Sequence, residues 1–125
     1  MLNLLLVGSG GFIGSALRYL VGLGAQHLAR HSAFPYGTLA VNVLGCLLIG
    51  FLAGLAQQRD LFNASARLFV FTGMLGGFTT FSTFGYDTLA LGRDIGLTLA
   101  ALNIFAHIAL GLGAALLGLF LARWF

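Results

Sequence analysis

The sequence contains no lysine and no glutamate, and only one proline and one cysteine in 125 residues. Asp60, Asp87 and Asp94 are its acids and six arginines its permanent cations, so charged residues are 7% of the chain. A soluble domain carries about 25%; with so little charge nothing would cover the surface of a soluble globule. Cys46 has no second cysteine to pair with, which excludes an intrachain disulfide and leaves the redox compartment open. The isoelectric point of about 9.8 does not imply nucleic acid, because six scattered arginines make no basic patch. No nucleophile, base and acid can be assembled from these residues either, so enzymatic chemistry is not expected.

What is present is apolar: 59% of residues are hydrophobic and the mean hydropathy is +1.01. A membrane-spanning helix needs about 20 such residues. The sequence therefore predicts an all-α membrane protein, with residues 1–125 forming a single transmembrane domain of four helices. The spans fall at about 2–28, 36–56, 66–93 and 95–122. Met1–Val7 lacks a basic leader and reads as the start of span one rather than a signal peptide. Polar breaks follow at Ala29–Pro35, at Gln57–Ser65 (with Arg59, Asp60 and Asn63) and at Arg93-Asp94, and Trp124 beside Arg123 fits an interfacial anchor. Val7–Gly14 (Val-Gly-Ser-Gly-Gly-Phe-Ile-Gly) imitates a dinucleotide fingerprint, but it lacks the βαβ setting and an acid about 20 residues on. Its glycines are read as helix-packing residues.

Four spans place both termini on one membrane face, with Arg59, Arg67 and Arg123, while Arg30 and Arg93 mark the other and Arg18 lies below it. Orientation normally follows an excess of Lys/Arg on the cytoplasmic side. Here the excess nearly vanishes, which predicts dual topology and an antiparallel homodimer.

Span three holds the least helix-like stretch, Gly76–Gly85 (Gly-Gly-Phe-Thr-Thr-Phe-Ser-Thr-Phe-Gly). Glycine costs a helix about 1 kcal/mol relative to alanine, and β-branched threonine adds less. The third helix is therefore expected to break near mid-membrane, where freed backbone survives only buried in protein or lining a polar path. In an antiparallel dimer two such breaks meet. Two copies of Gly76–Thr79 can then form a carbonyl cage for a monovalent cation, or the glycines can be a hinge that holds no ion; the residues alone leave both open.

Polar residues recur on single faces of the other spans. Thr38, Asn42 and Cys46 are spaced i, i+4, i+8 on span two, and Asn103, His107 and Gly111 likewise on span four. Asn42 lies about 9 Å and Asn103 about 12 Å below the membrane face marked by Arg30 and Arg93, at 1.5 Å per residue. Phe81, Phe84 and Arg18 come at similar depth. Arg18 can draw anions into a vestibule or pair with Asp87, and both roles can hold if the pair is incomplete. With no acid in spans one, two or four, the convergent layer suits an anion better than a cation. Phe78, Phe81 and Phe84 recur every third residue, a spacing that packing explains. Aromatic edges nevertheless carry positive potential, and with the hydroxyls of Thr79, Thr80, Ser82 and Thr83 they can replace anion hydration. His107 reads as a neutral packing residue, and His27 with His31 straddle a helix end rather than forming a zinc face.

Three motifs, Gly10–Tyr19 (Gly-Gly-Phe-Ile-Gly-Ser-Ala-Leu-Arg-Tyr), Gly37–Asn42 (Gly-Thr-Leu-Ala-Val-Asn) and Gly76–Phe84, together resemble the Fluc (CrcB) fluoride channels. The resemblance covers spans one to three and fits the chain in length and span count. It implies a dual-topology dimer in the bacterial inner membrane, with two antiparallel pores exporting fluoride passively and a structural sodium ion at the dimer centre. By motif it implies Asn42, Phe81 and Phe84 along the fluoride path, with Thr38 nearby and hydroxyls from Ser82 and Thr83. It implies backbone carbonyls of Gly76 and Thr79 on sodium, and Arg18 as the vestibule charge. Asn103, with His107 and Gly111, occupies the span-four face where the family often has hydroxyl residues. The main rival is a small dual-topology multidrug or cation transporter. Proton-coupled cation export needs an intramembrane carboxylate, and span one offers Arg18 instead. A non-transporting helix-packing subunit explains the glycines but not the polar stripes.

Overall fold

The computed structural model describes residues 1–59 and 61–125, so Asp60, placed by the sequence in a polar loop, lies outside the described residues. Helix α1 spans Leu2–Leu28 and α2 spans Tyr36–Arg59. The third membrane segment is composite. It opens with a short α3 (Ala64–Arg67), widens into a π-helical stretch over Leu68–Leu75, and closes with one α-turn, α4 (Gly76–Phe78). Helix α5 then covers Phe81–Asp94, α6 covers Leu97–Leu121, and a 3₁₀ turn, Ala122–Trp124, ends the chain. Four segments are long and apolar enough to cross a membrane: Leu2–Leu28, Tyr36–Gln58, Ala64–Asp94 and Leu97–Trp124.

The boundaries have local causes. Pro35 directly precedes α2, and its carbonyl accepts the N–H of Leu39 at 3.1 Å, closing the first turn. Asn63 caps α3 by accepting the Ala66 N–H at 2.9 Å, so the helix starts two residues earlier than hydropathy indicates. Between α5 and α6 the chain reverses through Ile95-Gly96, with Gly96 at φ 149°, ψ 157°. That region is open essentially only to glycine. Gly96→Ala is expected to destabilise the α5–α6 reversal by about 1–3 kcal/mol, measurable as a lowered unfolding midpoint in detergent.

The interior is held by backbone approach more than by large side chains. Helix α1 lies against the π-helical stretch and α4, and α2 lies along α6. At the first seam a Cβ on Gly10 or Gly14 would strike the backbone of Phe69 or Met74, and one on Gly77 would sit 2.7 Å from the Gly11 carbonyl oxygen. At the second, a Cβ on Gly50 would strike Ala115 O, and one on Gly118 would strike Leu47 O. Small residues permit this contact in lipid, where packing drives helix association. Gly10, Gly11 and Gly14 of the fingerprint-like stretch are therefore packing glycines, while Gly8 has open space around it. Large hydrophobic residues such as Leu4, Phe12, Leu89, Phe105 and Leu116 point outward, as a lipid-facing surface requires.

Candidate functional site

Between α4 and α5 the backbone leaves the helical region for two residues. Thr79 (φ −82°, ψ 156°) and Thr80 (φ −148°, ψ 112°) are extended. The paired glycines expected to unwind are instead helical, with Gly76 at φ −63°, ψ −37°. β-Branched threonines fit extended backbone better than helix, while Gly77 is needed for its approach to Gly11.

Every polar group freed by these threonines has an identifiable partner or an open face. Asn42 clasps Thr80 from both sides: its Nδ2 donates to Thr80 O at 3.0 Å, and Thr80 N–H donates to its Oδ1 at 2.8 Å. The Thr80 N–H would otherwise close the next helical turn onto Gly76 O, so the Gly76 carbonyl is left without that donor. Arg18 Nη1 reaches the Thr79 carbonyl at 3.5 Å. The Thr80 hydroxyl caps α5 by accepting the Thr83 N–H at 3.2 Å, and it also meets Thr83 Oγ1 (2.9 Å) and Ser82 Oγ (3.3 Å). The break thus exposes a carbonyl-rich helix end on one side and the amide end of α5 on the other. Such ends favour cations and anions respectively.

These elements wall a groove of about 420 Å³. Asn42, Gly76, Thr79, Phe81, Phe84 and His107 line it, with Cys46 nearby. The Phe81 and Phe84 rings stand 5.5 Å apart and tilted, and Phe84 lies 4.4 Å from the imidazole of His107. Phe81 is 84% exposed, so the groove opens onto the surface of the chain. Ser82 and Thr83 lie on that exposed surface rather than on the groove wall.

The remaining residues of interest occupy other positions. Thr38 and Arg18 line a second cavity of about 490 Å³, together with Asp87. There Thr38 Oγ1 donates to Asp87 Oδ2 at 2.6 Å. Arg18 does not pair with Asp87: among the described residues the one ion pair is Arg93–Asp94, at 2.6 Å. Of the two roles open to Arg18, pairing is therefore removed; its guanidinium turns to the Thr79 carbonyl, and the threonine takes the carboxylate. Asn103 is fully buried and stands behind the groove instead of lining it. Its Nδ2 donates to Thr88 Oγ1 at 2.9 Å, and Thr88 donates onward to Phe84 O at 2.8 Å. His107, read from sequence as packing, is the polar span-four residue that reaches the groove, beside Ile108. The signal was its place on the Asn103–Gly111 face, which alone does not say which member of the stripe is inward. A larger cavity of about 580 Å³, lined by Gln57, Arg67 and Thr72 among others, lies apart from the extended threonines and from Asn42, Phe81 and Phe84.

A four-helix, multi-pass membrane protein with an uncharged, aromatic-rimmed groove, mostly apolar but carrying Asn42, Thr79 and Thr80 beside the extended residues of the third segment, is built for passage of a small solute, not for covalent chemistry. The chain belongs to the CrcB family: residues 5–119 match the model described as CrcB-like protein, Camphor Resistance (CrcB). It is 46% identical to the fluoride-specific ion channel FluC of Agrobacterium fabrum over 123 residues, 98% of each chain. It is likewise 46% identical to FluC of Chlorobium chlorochromatii, over 98% of this chain and 93% of that one. Identity to FluC of Clostridium perfringens is 41%, over 98% of this chain and 95% of that one.

Proposed function

We propose that this chain is a fluoride-selective channel of the bacterial inner membrane, which lets fluoride leave the cytoplasm passively. The observation that carries the reading is the meeting of Asn42, Phe81 and Phe84 on one uncharged groove beside the α5 amide end. Fluoride is small and strongly hydrated, so a selective path must replace its water with several short-range donors. The second Nδ2 hydrogen of Asn42 and the ring edges of Phe81 and Phe84 are neutral donors on the groove, and the hydroxyls of Ser82 and Thr83 would add to them from the exposed surface beside it. They bind without trapping, and conduction requires weak, multi-site binding. Arg18 and Thr38, with Asp87, would form the vestibule that feeds the groove. Fluoride concentrates in cytoplasm when its protonated form enters from acidic surroundings, and a leak down the membrane potential then expels it.

The span would be broken at mid-bilayer and shared by two oppositely inserted copies. Two observations support this. The arginines are almost evenly divided between the membrane faces. The exposed face of α5 presents Phe81, Ser82 and Thr83, and hydroxyls facing lipid are costly, so a second copy is the natural cover. Sodium fits the same face. Gly76 is exposed, and its carbonyl lacks its helical donor because Asn42 takes the Thr80 N–H; with the Thr79 carbonyl it offers the hard oxygen donors a monovalent cation prefers. Bound there, sodium would neutralise converging carbonyl dipoles and hold the two breaks together.

Purified protein in liposomes, with fluoride and chloride efflux followed by ion-selective electrodes, tests the reading. Fluoride efflux without chloride efflux is expected. Silence for both ions would leave a packing subunit, and proton-coupled cation flux would favour the multidrug transporter. Phe81→Ile keeps bulk but removes the ring edge and is expected to abolish fluoride flux; wild-type flux in that variant would remove Phe81 from the path.

A further inference from the structure

We infer that His107 is a protonatable anion-binding group on this groove, so that fluoride occupancy and flux rise as pH falls. The inference rests on the fluoride-path reading above and adds a residue and a control to it. The imidazole lines the groove, with its ring 4.4 Å from Phe84. Its Nδ1 lies 3.0 Å from the Asn103 carbonyl oxygen. A carbonyl only accepts, so Nδ1 carries the proton and Nε2 presents a bare lone pair. That Nε2 is buried and has no hydrogen-bond partner among the described residues. A buried acceptor without a donor is uncommon and calls for an explanation. In the neutral ring the lone pair opposes an anion beside it. Once Nε2 takes a proton, the same atom becomes a charged N–H donor, while Nδ1–H keeps its bond to Asn103 O and holds the ring in place.

Among the described residues, no Asp or Arg lines the groove to mask this change. From α2 the titratable group on the groove is Cys46, and from α5 the ring meets Phe84. Of the charged groups on neighbouring elements, Arg18 of α1 and Asp87 of α5 line the separate cavity, Arg93 and Asp94 at the end of α5 pair with each other, Arg67 of α3 lines the larger cavity, and Arg123 follows the far end of α6. Imidazole is the side chain whose charge changes between about pH 5 and 8. Acid is also the condition in which fluoride loads a cell, so the control has the sign that export needs.

Two measurements test this on the whole protein. In the first, ¹⁵N-histidine-labelled protein in detergent micelles is titrated in sodium chloride and again in sodium fluoride at equal ionic strength, with His107→Gln used to assign its signal against His27 and His31. Fluoride is expected to move the His107 protonation midpoint upward, leaving the other two unmoved; equal midpoints in the two salts would overturn the assignment. In the second, fluoride efflux from liposomes is followed from about pH 8 to about pH 6, with leak from protein-free liposomes subtracted. A severalfold rise toward acid is expected in the wild type and a flat profile in His107→Gln. The wild-type profile retained in the variant would overturn the inference. If no fluoride flux occurs at any pH while the fluoride-dependent midpoint shift persists, the conduction reading fails and the anion site on His107 stands.

Discussion

Asn42→Ala is expected to abolish fluoride flux and to lower stability measurably, which makes it the most informative single change. Asn42 does two jobs with one carboxamide. It satisfies the Thr80 N–H and C=O, at 2.8 and 3.0 Å, where the helix ladder has stopped, and it offers its remaining amide hydrogen to the groove. Truncation leaves two backbone groups unpaired inside the protein, at roughly 1–3 kcal/mol each. A companion variant separates the jobs. Asn42→Asp keeps an oxygen for the Thr80 N–H but donates nothing and adds negative charge where an anion must pass. Its flux should be lost as completely as in the alanine variant, while its unfolding midpoint in detergent should lie closer to wild type. Wild-type efflux in either variant would remove Asn42 from the path.

The second large effect is expected from Gly14→Ala. A Cβ there would strike the carbonyl of Met74 and lie 2.9 Å from Phe78 N. The obstacle is backbone at the end of the π-helical stretch and at α4, so no side-chain rotation can relieve it. Overpacking of this kind costs about 1–3 kcal/mol, occasionally more. The relief available is withdrawal of α1, which also carries Arg18 away from the Thr79 carbonyl. Both a lowered melting temperature by size-exclusion in detergent and a reduced fluoride efflux rate are expected. The matched change Gly24→Ala, at an α1 position with open space around it, should leave both unchanged.

Much of this architecture was legible because membrane physics speaks through composition. Scarce charge and four apolar runs predicted four spans, and α1 has the expected ends at Leu2 and Leu28. The i, i+4 stripe of Thr38, Asn42 and Cys46 indicated which face of α2 is polar, and each member makes its contact on that side. What stayed hidden depends on three-dimensional choice among chemically equivalent partners. Either Arg18 or Thr38 can satisfy Asp87, and only the relative rotation of α1, α2 and α5 selects the threonine. Asn103 and His107 share a stripe, and a shift in depth of one turn decides which is enclosed and which reaches the groove. The glycines of Gly76-Gly77 signalled weakness in the helix, but helix propensity does not register the need for close approach to α1. That need keeps Gly77 helical and passes the extended residues to Thr79 and Thr80. The π-helical stretch has no signature in hydropathy at all.

That stretch has a consequence for length changes. In an α-helix each residue turns the chain by roughly 100°, and a π-helix turns it less per residue because its rings are wider. Leu68–Leu75 therefore sets the azimuth at which everything downstream emerges. Deleting one residue there, with every aromatic and hydroxyl group retained, would swing Phe81 and Phe84 around the segment axis and away from Asn42. Substitutions along Leu68–Leu75 should be forgiven far more readily than a single-codon deletion, so the stretch acts as a phase setter for the conduit.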